Sequence, residues 1–171
     1  MMQVPTKVVV VLSVLACLAL PASAGVKVDY EVGIDFESYR TYAWQPGTDA
    51  GQPQIQQAIY RYVEQELREA GLEKVSVDEA DLFVITHAFS EMNAHATGGY
   101  VYVQQWNVGV LTTGIAVDTK GYLVIDLIDS QSEEAVWSAR ATEVMGLPDL
   151  TKLTNKVKNI TRKMFKKFPP R

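Results

Sequence analysis

His87, Glu91 and His95 recur every four residues and are of the types that hold a divalent ion. On a helix the three would share a face and could bind zinc. On an extended strand each four-residue step covers ~13 Å, too far for one ion to bridge. The flanking residues favour the strand, because Leu82-Phe83-Val84-Ile85-Thr86-His87-Ala88-Phe89 is apolar on both faces. A loop is expected over residues 91–99, ending in Gly98-Gly99, and no metal site is assigned. Carboxylates gather at Asp78, Glu79 and Asp81, and again at Asp126 and Asp129. Pairs held about 5–10 Å apart across a cleft do acid–base work or cleave glycosides. At a helix-to-strand connection, however, Asp78 to Asp81 read more simply as solvated acids, and Asp129 belongs to a turn. Asp126 lies mid-strand; buried there, it would need a partner such as Arg140 on the neighbouring strand. The chain has no Gly-x-Ser-x-Gly elbow, phosphate loop or dinucleotide fingerprint. No catalytic residue and no cofactor is assigned. The rival reading is a hydrolase or metal-dependent enzyme using Asp126, His87 or the 78–81 acids, which requires those groups to converge in one concave pocket.

Two surfaces suit binding rather than catalysis. Tyr100, Tyr102 and Trp106 alternate along a predicted strand and would form an aromatic platform for glycan or peptide, unless they pack under a helix or against Trp137. The last twenty residues hold no acid, and Lys152, Lys156, Lys163, Lys166 and Lys167 crowd there. Such a helix either meets anionic lipid or a partner through its lysines, or docks its apolar seam and leaves them solvated.

The elements that must position these residues begin after an address label. Lys7 precedes the uncharged run Val8–Leu20, and Pro21-Ala22-Ser23-Ala24 gives the small-x-small pattern of a signal peptide cleaved before Gly25. Thirteen helical residues reach about 20 Å, short of the ~30 Å hydrocarbon core. The alternative is a lipobox, Val14-Leu15-Ala16-Cys17, with Cys17 acylated; Leu15 is bulky for it and an apolar run follows where a polar tether is expected. Residues 1–24 thus read as signal peptide and 25–171 as one domain. Without Lys7, fifteen basic residues face twenty acids, a net charge of −5, which disfavours nucleic acid as a partner. No transmembrane span is read in the mature chain. Cys17 is the only cysteine, so cleavage after Ala24 leaves a domain held by its core, not by disulfides.

Val26–Val32 alternates apolar and polar without a break, predicting a strand with Val26, Val28, Tyr30 and Val32 inward. Tyr39–Trp44 is a second strand. From Pro53, the stripe Ile55, Ile59, Tyr62 or Val63, Leu67 and Ala70 predicts a helix closed by Gly71. Strands follow at 82–89 and 100–106, with a short one near 115–117. A hairpin joins Tyr122–Ile128 to Ala135–Ala141. Leu150, Leu153, Val157, Ile160, Met164 and Phe168 mark a last helix behind Asp149, stopped by Pro169-Pro170. The expected fold is α+β: a mainly antiparallel sheet of about five to six strands, with two amphipathic helices packed on one face.

Asp29-Tyr30, the run Asp35-Phe36-Glu37-Ser38-Tyr39-Arg40-Thr41-Tyr42-Ala43-Trp44, Ala80-Asp81-Leu82, Gly121–Asp129, Val136-Trp137 and Phe168-Pro169-Pro170 occur in this order. The ordered set resembles a family of bacterial envelope proteins known only as a domain of unknown function. The resemblance implies a Gram-negative secretory protein, often a lipoprotein at the outer membrane, and brings no catalytic residues with it. The expectation is therefore an exported, non-enzymatic binding or accessory module. It would lie in the periplasm, or at the outer membrane as a lipoprotein, and bind an envelope component that is protein, glycan or lipid.

Overall fold

The computed structural model describes residues 25–103, 108–145, 149–166 and 168–169. Alternation in Val26-Lys27-Val28-Asp29-Tyr30 produces β1 (Val26–Tyr30), followed by β2 (Thr41–Trp44), α1 (Pro53–Glu69) and the two-residue β3 (Glu73–Lys74). Two long strands come next, β4 (Leu82–Val103) and β5 (Val108–Asp129), then β6 (Ala135–Met145) and α2 (Leu150–Phe165). The six strands form one sheet in the order β1-β6-β5-β4-β2-β3. β1, β6, β5 and β4 are antiparallel neighbours, whereas β2 runs parallel to both β4 and β3, so the sheet is mixed. Parallel neighbours need a long crossover, and α1 is it.

Both helices are terminated by local chemistry. Pro53 opens α1, where a missing amide proton costs nothing. At its other end the Leu72 amide donates to the Leu67 carbonyl and the Gly71 amide to the Arg68 carbonyl, with Gly71 at φ +91°. This is a Schellman closure, which a left-handed glycine permits. Asp149 caps α2 by accepting the amides of Thr151 and Lys152, at 3.0 and 3.2 Å. Along α1 the residues that sink into the core are Ala58, Ile59, Val63 and Leu67, so Val63 rather than Tyr62 completes the stripe.

The helices cover one face of the sheet. On β4, Leu82, Val84, Thr86 and Ala88 are buried beneath them, while Phe83, Ile85 and His87 on the opposite face are half-buried. Leu123, Ile125 and Leu127 of β5 and Trp137, Ala139 and Ala141 of β6 continue the buried layer against Ile59, Leu67, Met164 and Phe165. Trp137 meets Phe165 at 4.9 Å and Phe168 at 5.4 Å between ring centroids.

Several expectations are corrected. Residues 91–99 are strand rather than loop, and the pieces at 82–89 and 100–103 are one continuous β4. Likewise the short strand near 115–117 is part of β5. Gly98 and Gly99 do not turn the chain, because they sit in register opposite Thr113 and Thr112. Tyr30, at the end of the edge strand β1, stays 49% exposed rather than inward, and Val32 points to solvent at 86% exposure, since β1 leaves the sheet after Tyr30. Residues 1–24, and Cys17 with them, lie outside the described residues.

Candidate functional site

Several residues of the sequence motifs meet at one end of the sheet, where they act as ties. The Tyr39 hydroxyl donates to Asp129 Oδ2 at 2.8 Å, across 90 residues of sequence. Asp129 also accepts the Ser132 and Gln131 amides at 2.7 and 2.9 Å. The Ser132 amide, together with Tyr39 and Gln131, holds the Asp129 carboxyl below its ordinary range, against a smaller opposing effect of burial. Burial and this anionic partner push Tyr39 up to about 12. Asp81 Oδ2 accepts the amides of Arg40 and Thr41, at 2.8 and 2.9 Å, which joins the start of β2 to the start of β4. These amides, Arg40 first, also lower the Asp81 carboxyl. Glu64 on α1 receives the Trp44 indole N–H at 2.9 Å and the Lys74 ammonium at 2.6 Å. Burial alone would raise this carboxyl, but the two donors outweigh it and hold it low. Phe168 stacks edge-on with Phe36 at 5.9 Å and closes the cluster.

The residues proposed for chemistry do not converge in a pocket. Asp78 and Glu79 are exposed on a 3-10 turn at Val77–Glu79, with Glu79 accepting the Ser76 hydroxyl at 2.7 Å. Asp81 is engaged as described, so it is a structural tie rather than a freely solvated acid. His87 and Asp126 share the face away from the helices, but His87 Nδ1 accepts the Thr48 amide at 3.2 Å and lies 2.9 Å from its hydroxyl. Asp126 is half-buried in register with Ile85 and Ser138. The expected Asp126–Arg140 pair is not formed, because Arg140 stands opposite Val124 and reaches Asp29 of β1 at 3.4 Å. Glu91 accepts the Tyr122 hydroxyl at 3.0 Å, and His95 lies 3.8 Å from Asp118. His87, Glu91 and His95 are thus spaced along one extended strand, and among the described residues no group of metal-ligating side chains assembles.

A concavity lined mainly by aliphatic side chains lies elsewhere, where the β4–β5 hairpin leaves the body. A cleft of about 120 Å³ opens between the first turns of α1, the first half of α2 and the sheet. Ile55, Ile59, Leu123, Leu153, Val157 and Ile160 line it, and Lys156 and Glu143 sit at its edge, 3.0 Å apart. Small residues create the space: Ala88 stands opposite Leu123, and Ser90 opposite Gly121. The seam of α2 therefore docks only over its second half, where Thr161, Met164 and Phe165 are buried, while Leu150 remains exposed. None of the acids or histidines weighed from sequence borders this cleft. Its signal was the run of small residues at one level of adjacent strands, which has meaning only once α2 is placed above them.

The binding residues expected from sequence are only partly described. Tyr100 and Tyr102 lie in β4, in register with Leu111 and Gly109; their side chains, and all of Trp106, fall outside the described residues, as does Lys167. Lys152 pairs with Asp149 at 3.6 Å and Lys156 with Glu143, while Lys163 lies beside Gly25 and Val26, and Lys166 is exposed. Among the described residues no helix is long and apolar enough to cross a membrane.

A mixed six-stranded sheet, covered on one face by two helices with an apolar cleft between them, defines an α+β protein. Its sequence matches the model of the Domain of unknown function DUF4136 over residues 26–170, and the chain belongs to that family. The fold is similar to a PDZ domain protein from Parabacteroides distasonis, with 19% identity and a TM-score of 0.58 over 85% of this chain. This chain spans about a third of that protein, 35% of its length. It is also similar to the PelC dodecamer from Paraburkholderia phytofirmans, at 13% identity and a TM-score of 0.50, covering 82% of this chain and 93% of that one. A DUF4136 family protein from Bacteroides thetaiotaomicron aligns at 12% identity and a TM-score of 0.48, covering 84% and 95% of the two chains. No curated protein matches the sequence. At these identities the likenesses concern fold alone.

Proposed function

We propose that this protein is an exported, non-enzymatic binding or accessory module of the bacterial envelope, and that the cleft at the root of the β4–β5 hairpin takes an apolar group of its partner. The observation that carries this reading is the cleft itself: open, lined by aliphatic side chains, and bordered by one internally neutralised ion pair. Its volume is close to the ~150 Å³ of an apolar protein cavity that admits benzene, so a side chain or a short stretch of acyl chain fits. Export is supported by the signal-peptide pattern of residues 1–24.

Two measurements test the reading. The intact mass of the mature protein from fractionated cells should begin at unmodified Gly25 in the soluble periplasm; an acylated Cys17 in the membrane fraction would transfer the protein to the outer-membrane alternative. A solvatochromic naphthylamine probe should brighten on binding the wild-type protein and lose that signal in Val157→Trp, which fills the cleft. Equal binding by both proteins would remove the cleft from the proposal.

A further inference from the structure

Beyond Ser90 the sheet narrows to a bare ribbon. β2 and its continuation accompany β4 only as far as Ala88, whose amide donates to the Thr48 carbonyl. β6 accompanies β5 only from Thr119 onward. Among the described residues, from Met92 to Val103 and back from Val108 to Val117, β4 and β5 pair only with each other in the sheet. A two-stranded ribbon is marginal in water, and exposed edges are normally guarded by charge or proline. This one has neither: residues 92–117 contain no Asp, Glu, Lys, Arg or Pro.

The two faces of the ribbon differ. Met92, Ala94, Ala96, Leu111, Ile115 and Val117 share one face by register, interrupted by Gly98 and Thr113. Met92 and Ile115 are each 77% exposed and Leu111 is 59% exposed. In the root half of the ribbon Asn93, His95, Thr97, Gly114 and Ala116 occupy the other face, which is polar or small there, and in the tip half Val101, Val103, Val108 and Val110 hold its register positions. The charged residues Glu91, Asp118 and Lys120 cluster at the root, where Glu91 stands opposite Lys120.

We propose that this ribbon inserts into a phospholipid bilayer, with its Met92–Ile115–Val117 face toward lipid. The twelve residues of Met92–Val103 measure about 41 Å as a strand, and at a tilt of ~45° they rise about 29 Å, matching the ~30 Å hydrocarbon core. Over the root half of the ribbon an apolar face alternates with a polar or small one at period two, the pattern of a membrane strand. The ring of charge at the root marks the water boundary. Unpaired backbone groups are not tolerated in hydrocarbon, so the edges must close. Further copies of this chain supply the closure, the β4 edge of one protomer meeting the β5 edge of the next in antiparallel order. The result is an even-stranded barrel with one hairpin per protomer. This surface is separate from the cleft, and the cleft probe assay stands whether or not the ribbon enters lipid.

The test uses the exported protein and phosphatidylcholine vesicles, whose zwitterionic surface gives the lysines of α2 nothing to bind. Wild-type protein is expected to float with the vesicles in a density gradient, with amide hydrogen exchange slowed across residues 92–117. Ile115→Arg places a charge in lipid about 7 Å above the root and should cut the vesicle-bound fraction about fivefold or more, whereas Ala116→Arg on the opposite face should change it less than about twofold. Should either variant fail to fold, exchange protection in the wild-type protein decides alone. Protein that stays in the aqueous fraction, including a soluble ring of copies, overturns the proposal. Equal loss in both arginine variants, or loss in neither, does so too.

Discussion

Thr161 lies on α2 with no exposed surface, and its hydroxyl has no hydrogen-bond partner among the described residues. An unpaired buried hydroxyl costs about 1–3 kcal/mol. Valine has nearly the same shape, the same β-branching and a similar helix propensity, but nothing to desolvate. Thr161→Val should therefore stabilise the fold by about 1 kcal/mol. Over the 147 residues 25–171, an unfolding entropy of ~2.1 cal/mol/K per residue totals about 0.3 kcal/mol/K, so the thermal midpoint should rise about 3 °C. Urea denaturation should show a higher midpoint with an unchanged slope. Thr161→Ser, which keeps the hydroxyl and loses the methyl, should move the midpoint the other way by about 1 kcal/mol. If Thr161→Val lowers the midpoint instead, the hydroxyl has a partner and the accounting of the α2 interface is wrong.

Other outcomes follow from the same geometry. Tyr39→Phe removes a part-buried bond to Asp129 and should cost about 1–2 kcal/mol by urea denaturation at neutral pH. Asp129 is held low in the folded state, so the stability it contributes is present above an unfolded value near ~4 and lost as pH falls through the folded one. Tyr39 is raised, so its share is complete below an ordinary phenol value of ~10 and lost as pH climbs towards about 12. Tyr39→Phe should abolish its alkaline share and shrink the acid loss, and a pH–stability profile parallel to wild type would contradict the tie. Gly47→Ala would place a methyl 1.9 Å from the Thr86 carbonyl oxygen and should destabilise by about 2 kcal/mol or more, loosening the Thr48–Thr86 contact in amide exchange. Leu67→Ala, fully buried on α1, should cost about 3–5 kcal/mol in the same denaturation assay, and a loss below ~1 kcal/mol would mean α1 is not docked as described.

The sequence carried the local structure because local structure depends on neighbours in the chain. Alternation over Val26–Tyr30, the Ile59-Val63-Leu67 stripe, the Gly71 closure and the Asp149 cap are each settled within a few residues. The α+β class and the burial of Trp137, Ala139 and Ala141 follow from the same periodicities. What tertiary structure decided are the pairings between distant segments. Gly98-Gly99 reads as a turn until Thr112 and Thr113 stand opposite them, because a glycine's conformation is set by its partners rather than by its own preference. Asp81 looks like a solvated acid and Asp129 like a turn residue until the amides of β2 and the Tyr39 hydroxyl arrive from 40 and 90 residues away. The cleft needs three elements to meet around the small residues Ala88, Ser90 and Gly121, and no single stretch of chain encodes an empty space. Side-chain periodicity reports which way a residue faces; only the assembled sheet and helices determine what it faces.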